Sequence, residues 1–97
     1  MLDFKTAAEH IKKVSPILLS KYGVNKIGIF GSVARNEQDD NSDIDILVEM
    51  NHRYTLFEIG GVYSILEEEL KNKIDLSEIN HLRPELADLI KKEVRYI

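Results

Sequence analysis

Residues 43–50 read Asp-Ile-Asp-Ile-Leu-Val-Glu-Met, and this alternation constrains the fold more than any other stretch of the chain. Successive side chains on a strand point to opposite faces, so the pattern predicts a strand with Ile44, Ile46, Val48 and Met50 turned to a core. Asp43, Asp45, Leu47 and Glu49 then share the other face. Two aspartates placed two apart project from one side, roughly 7 Å apart along the backbone. Strands disfavour aspartate, and convergent carboxylates of this kind hold divalent metal. A second strand is predicted over residues 24–30, Val-Asn-Lys-Ile-Gly-Ile-Phe, running directly into Gly31-Ser32-Val33-Ala34-Arg35.

Helical spacing surrounds these strands. Phe4, Ala8, Ile11, Val14, Leu18 and Tyr22 recur at the period of an amphipathic helix over 3–22. Pro16 interrupts it, which implies either a kink or two short helices, and Gly23 suits the helix end. Thr55 and Glu58 form a capping box ahead of a central helix whose apolar stripe is Leu56, Ile59, Tyr63, Leu66 and Leu70. Gly60-Gly61 inside it costs about 1 kcal/mol per glycine relative to alanine, so the pair marks either close packing or a local break. Residues 73–79 read as a third strand with Asp75, Ser77 and Ile79 on one face. Pro84 opens a last helix whose buried side is Leu86, Leu89, Ile90 and Val94. Strands and helices in this order predict a small α/β (α+β) fold, a mixed sheet of three or four strands packed with helices.

With 97 residues, 43% of them hydrophobic, the chain is expected to form a single domain over 1–97, too small for a second domain that binds an acceptor. A formal charge of -4 argues against direct nucleic-acid binding, which draws on clustered Lys and Arg. No apolar run approaches the roughly 18 residues of a membrane span, and Met1-Leu2-Asp3-Phe4-Lys5 lacks the apolar stretch of a signal peptide. A cytoplasmic location without membrane contact is therefore expected. The absence of cysteine removes thiolate sites, and His10, His52 and His81 lack ligand spacing, so oxygen ligands remain.

Gly31-Ser32 stands where a strand is expected to meet a helical turn, and offers backbone N–H groups and a hydroxyl to triphosphate oxygens, since glycine permits close approach. Arg35, one turn on, can reach a phosphate as a forked donor. Two metal ions roughly 3.5 to 4 Å apart neutralise a reacting phosphate and its leaving group and activate an acceptor hydroxyl. Asp43 and Asp45 can bridge both ions, and Asp75 completes the set if its strand lies beside theirs.

The pattern Gly-Ser-x-Ala-Arg, a loop, Ser-Asp-x-Asp followed by apolar residues, and a later Asp on a strand after a helix resembles the minimal nucleotidyltransferases of the DNA polymerase β superfamily. The resemblance covers nearly the whole chain and implies their polymerase β-like fold. It implies Asp43, Asp45 and Asp75 as the catalytic, metal-holding carboxylates, with Gly31, Ser32, Arg35 and Ser42 toward the nucleotide. It further implies an enzyme that uses two Mg2+ ions to transfer AMP from ATP to a tyrosine hydroxyl of a helical HEPN-domain ribonuclease toxin. The chain would then be the antitoxin of a type VII-like toxin–antitoxin pair, as a homo-oligomer or in a hetero-oligomer with that partner. Many relatives carry Gly after the Ala-Arg pair; here the residue is Asn36, which tolerates left-handed backbone better than most.

Plainer readings stand beside these. Asp43 and Asp45 can cap a strand on a solvated face, Asp75 can pair with Lys73 at a strand edge, and Arg35 can pair with Glu37 or Asp39. Glu67-Glu68-Glu69 reads as a solvated helix face. Tyr54 and Tyr63 can flank a base, although aromatic residues near a helix usually pack. An alternative function is a non-catalytic module that neutralises its partner by occlusion. A third is transfer to a small molecule, as in antibiotic nucleotidyltransferases, which generally carry a further helical domain.

Overall fold

The computed structural model describes residues 2–97; Met1, the first residue of the N-terminal stretch read above, lies outside them. Helix α1 (Phe4–Tyr22) starts at Asp3, whose carboxylate accepts the Thr6 N–H at 2.8 Å, and stops at Gly23 in left-handed conformation with φ 75°. It runs unbroken through Pro16. The ring sits on the solvent side, where water can satisfy the carbonyl one turn earlier that has lost its donor. The Ser15 hydroxyl donates to the Ile11 carbonyl at 2.9 Å in the same turn.

Strand β1 (Val24–Phe30) leads straight into the four-residue helix α2 (Gly31–Ala34). Strand β2 (Ile44–Met50) follows, then helix α3 (Leu56–Leu70), strand β3 (Ile74–Glu78), a 3-10 turn (Ile79–His81), helix α4 (Pro84–Glu93) and the short strand β4 (Arg95–Tyr96). One sheet contains all four strands in the order β3-β2-β1-β4. β1 pairs antiparallel with β2 and β4, and β2 pairs parallel with β3. The expected mixed sheet is present, with β4 as a strand that the sequence pattern does not announce. An irregularity in the β1–β2 register between Val24 and Lys26 shifts the alternation, which is how Val24, Ile27 and Ile29 all come to belong to one core.

That core lies between one sheet face and helices α1 and α3. It joins Ile44, Ile46, Val48 and Met50 to Ala7, Ile11, Leu18, Val62, Leu66 and Leu70. The face read as opposite is also partly covered, since Phe30 and Leu47 pack against Ile90 of α4. Two stripes turn out differently from their predicted phase. On α3 the capping box is present, but Leu56 is 86% exposed and Tyr63 also faces solvent, while Val62 lies inside. On α4, Leu86 and Leu89 are exposed and Ile90 carries the contact. Period identifies a helix, but the sheet decides which few of its apolar residues are covered. The glycine pair also resolves: α3 is continuous, a Cβ on Gly61 would stand 2.5 Å from the Tyr22 ring, and one on Gly60 would meet nothing.

Candidate active site

Parallel register sets Asp45 directly opposite Asp75, and antiparallel register sets it opposite Phe30, the residue before Gly31. Three segments distant in sequence thus meet at one end of β2. Asp45 is half-buried, with Asp43 just before the strand and Asp75 exposed on the neighbouring one. Burial pushes the Asp45 carboxyl up to about 6, and the charges of Asp75, Asp43 and Glu93 push the same way against the pull of Arg35. A carboxylate made costly to ionise by other carboxylates is stabilised by a cation, and the donors are all oxygen, as magnesium prefers. Among the described residues no three His, Asp or Glu side chains enclose an ion by themselves. An ion held at Asp43, Asp45 and Asp75 would need substrate oxygens or water to complete its shell.

Gly31 is forced by its surroundings. Its φ is 71°, and a Cβ there would run into the Asp45 carboxylate, so turn and carboxylate can pack only without a side chain. Ser32 and Val33 continue into α2, and the chain leaves through Asn36 at φ 57°, the left-handed geometry expected of that position. Ser42 organises its own loop: its hydroxyl accepts the Asp39 N–H at 2.9 Å and lies 3.3 Å from Asp39 Oδ1. That turn delivers the chain to Asp43.

Arg35 pairs with Glu37 at 3.4 Å, one of the two partners anticipated for it, and with Glu93 at 3.0 Å. The Glu93 contact foremost holds its guanidinium pKa above the ordinary value. Glu93 carries no motif, and only the tertiary fold brings it to the site. Tyr63 donates to Glu67 at 2.8 Å. That bond foremost, then burial and the charges of Glu67, Asp43 and Asp75, raise its pKa. Tyr54 instead bonds His81 at 2.8 Å, near the other end of β2. Each histidine has a glutamate partner: His10 with Glu69, His52 with Glu58 and His81 with Glu78. The Glu67-Glu68-Glu69 run is accordingly less free than a solvated face.

The nucleotidyltransferase domain family matches residues 11–97. A candidate protein adenylyltransferase of Methanocaldococcus jannaschii is 45% identical over 84% of this chain and 87% of its own length. The protein adenylyltransferase MntA of Thermococcus cleftensis is 34% identical over 82% and 81%. Among solved structures, a candidate minimal nucleotidyltransferase superposes with a TM-score of 0.82 at 29% identity, over 97% of this chain and 95% of the other. A toxin–antitoxin complex with AMP-PNP gives 0.73 at 23% identity, over 91% and 69%. A complex of a tri-AMPylated Shewanella oneidensis HEPN toxin with its MNT antitoxin gives 0.66 at 18%, over 93% and 70%; these last two likenesses speak to the fold alone. The chain therefore belongs to the nucleotidyltransferase domain family as one of its minimal members.

Proposed function

We propose that this protein transfers AMP from ATP to a hydroxyl, most simply a tyrosine, on a HEPN-domain toxin, and so acts as the antitoxin of a type VII-like pair. The observation that carries the reading is Asp45 set in register with Asp75 and against the Gly31 turn, within the field of Asp43. It is supported by relatives called protein adenylyltransferases, and the fold is shared with chains solved in toxin–antitoxin complexes. In this reading Asp43, Asp45 and Asp75 are the residues that would hold two magnesium ions. Bound there, the ions would offset charge on the reacting phosphate and on the departing pyrophosphate. The Gly31 and Ser32 turn, with Arg35, holds triphosphate oxygens, and Ser42 sets the loop that presents Asp43. Asp75, on an exposed strand, orients the incoming hydroxyl and draws off its proton. The oxygen of that hydroxyl forms a bond to the α-phosphorus as the bond to the β-phosphate oxygen breaks.

The test is the intact mass of the helical partner after incubation with this protein, ATP and magnesium, using Asp43→Ala/Asp45→Ala as control. A gain of one or more adenylate units, absent with the control, is expected. A tight complex with no gain from either protein would replace this reading by neutralisation through occlusion.

A further inference from the structure

The closing segment of the chain grips helix α2 at both ends. The Gly31 N–H donates to Glu93 Oε1 at 2.8 Å, while the other oxygen of that carboxylate accepts from Arg35 at 3.0 Å. At the far end the Ala34 carbonyl accepts from Arg95 at 3.5 Å. Val94, between the two, lies where a Cβ on Gly28 would stand 2.5 Å from its Cγ2, so this glycine lets the segment settle onto β1.

A helix of four residues cannot hold its own shape, because nearly all its N–H and C=O groups are end groups and nucleation is unfavourable. Gly31, the residue with most backbone freedom to lose, begins it. External bonds must supply the order, and Glu93 supplies two from one half-buried carboxylate. We propose that Glu93 is a positioning residue for nucleotide binding, its carboxylate bridging the Gly31 N–H and Arg35 so that the turn is held in shape and the Ser32 N–H and hydroxyl are left to receive a triphosphate. The proposal rests on the reading that this turn takes the triphosphate. A second effect opposes it, since Glu93 adds negative charge beside a site for an anion and takes up the Gly31 N–H and one arm of Arg35. Charge near the surface is screened by salt, whereas charge-assisted hydrogen bonds fix geometry directly, so the bracing effect prevails and loss of Glu93 weakens binding.

Two measurements test it: calorimetric titration with magnesium and an ATP analogue blocked at the α,β-bridge, and hydrogen exchange of the Gly31 amide without nucleotide. Glu93→Ala should bind the analogue about tenfold more weakly, with correspondingly faster Gly31 exchange. Glu93→Gln should fall between, since its amide oxygen still accepts from Gly31 but carries no charge for Arg35. Parent-like or tighter binding by Glu93→Ala, with Gly31 exchange accelerated, overturns the proposal. If Glu93→Ala does not fold, the near-isosteric Glu93→Gln decides: several-fold weaker binding upholds the proposal and parent-like binding overturns it. A parent protein that binds no analogue overturns the functional reading and this inference together, whereas equal binding by parent and Glu93→Ala overturns the inference alone.

Discussion

Asp45 is half-buried among other acids, and its ionisation works against the fold that positions it. Its carboxyl moves from an ordinary 3.8 to about 6 in the native state, so the native form binds the proton more tightly than the unfolded chain. The stabilisation is complete below 3.8 and is lost as pH rises through about 6. Asp45→Asn should therefore raise the stability of the chelator-treated protein at neutral pH, by about 1 kcal/mol once solvent screening at a half-exposed site is allowed for. The same variant should lose nucleotide transfer; denaturant melts and the adenylate mass assay check the two halves. Gly31→Ala should do the reverse to stability, costing about 2–3 kcal/mol in the same melts, because it adds a Cβ against Asp45 at a positive φ. At this scale the sequence was legible wherever chemistry is written in a local pattern. Asp43, Asp45 and the Gly31-Ser32 turn stand out by spacing alone. Asp75 depended on strand order, which no local pattern encodes, and Glu93 has no pattern at all, because an acid in the last turn of an amphipathic helix reads as solvent-facing.

Helix α3 shows how neighbouring residues of one type can have opposite roles. Gly60 faces open space while Gly61 lies against Tyr22. Gly60→Ala should gain most of the helix propensity of alanine, about 1 kcal/mol, whereas Gly61→Ala should lose about 1–3 kcal/mol by forcing the ring away; paired thermal melts would reveal opposite shifts. The helix also ends on Lys71 in left-handed conformation, φ 51°. Lys71→Gly should relieve that strain and stabilise by up to about 1 kcal/mol in denaturant titrations. Helices, caps and strand spans were readable because they follow local periods and capping chemistry. The inward azimuth was not: Leu56 and Leu89 fit their stripes yet remain exposed, because the covering surface is set by the width of the sheet. The two-residue β4 is too short for any period to register.

Across the molecule, acid and base limbs of the stability profile have different owners. Glu78 is 5% exposed, and burial pushes its carboxyl up, but the Met50 N–H, the His81 imidazole and the Asn80 N–H together pull it below its ordinary 4.5. Its stabilising contribution is present above 4.5 and lost as pH falls below it. Asp45 acts with the opposite sign. With chelator present, these two groups therefore place the melting-temperature maximum between about 3.8 and 4.5, with stability falling from there as pH rises through about 6. Magnesium, by favouring ionised Asp45, should move the peak upward; a pH series of melts with and without the ion checks this. The overall architecture was legible as an alternation of helices and strands, while the order β3-β2-β1-β4 comes from long-range pairing that a linear reading cannot rank. The in-register contact of Asp45 with Asp75 carries a temporal consequence as well. The two strands are parallel and joined through α3, so they can zip only after a long crossover has closed, the kind of non-local step that slows folding. A nascent or partly unravelled copy holds Asp43 and Asp45 but not yet Asp75 beside them, so under the proposed function transfer would be withheld until β3 has paired.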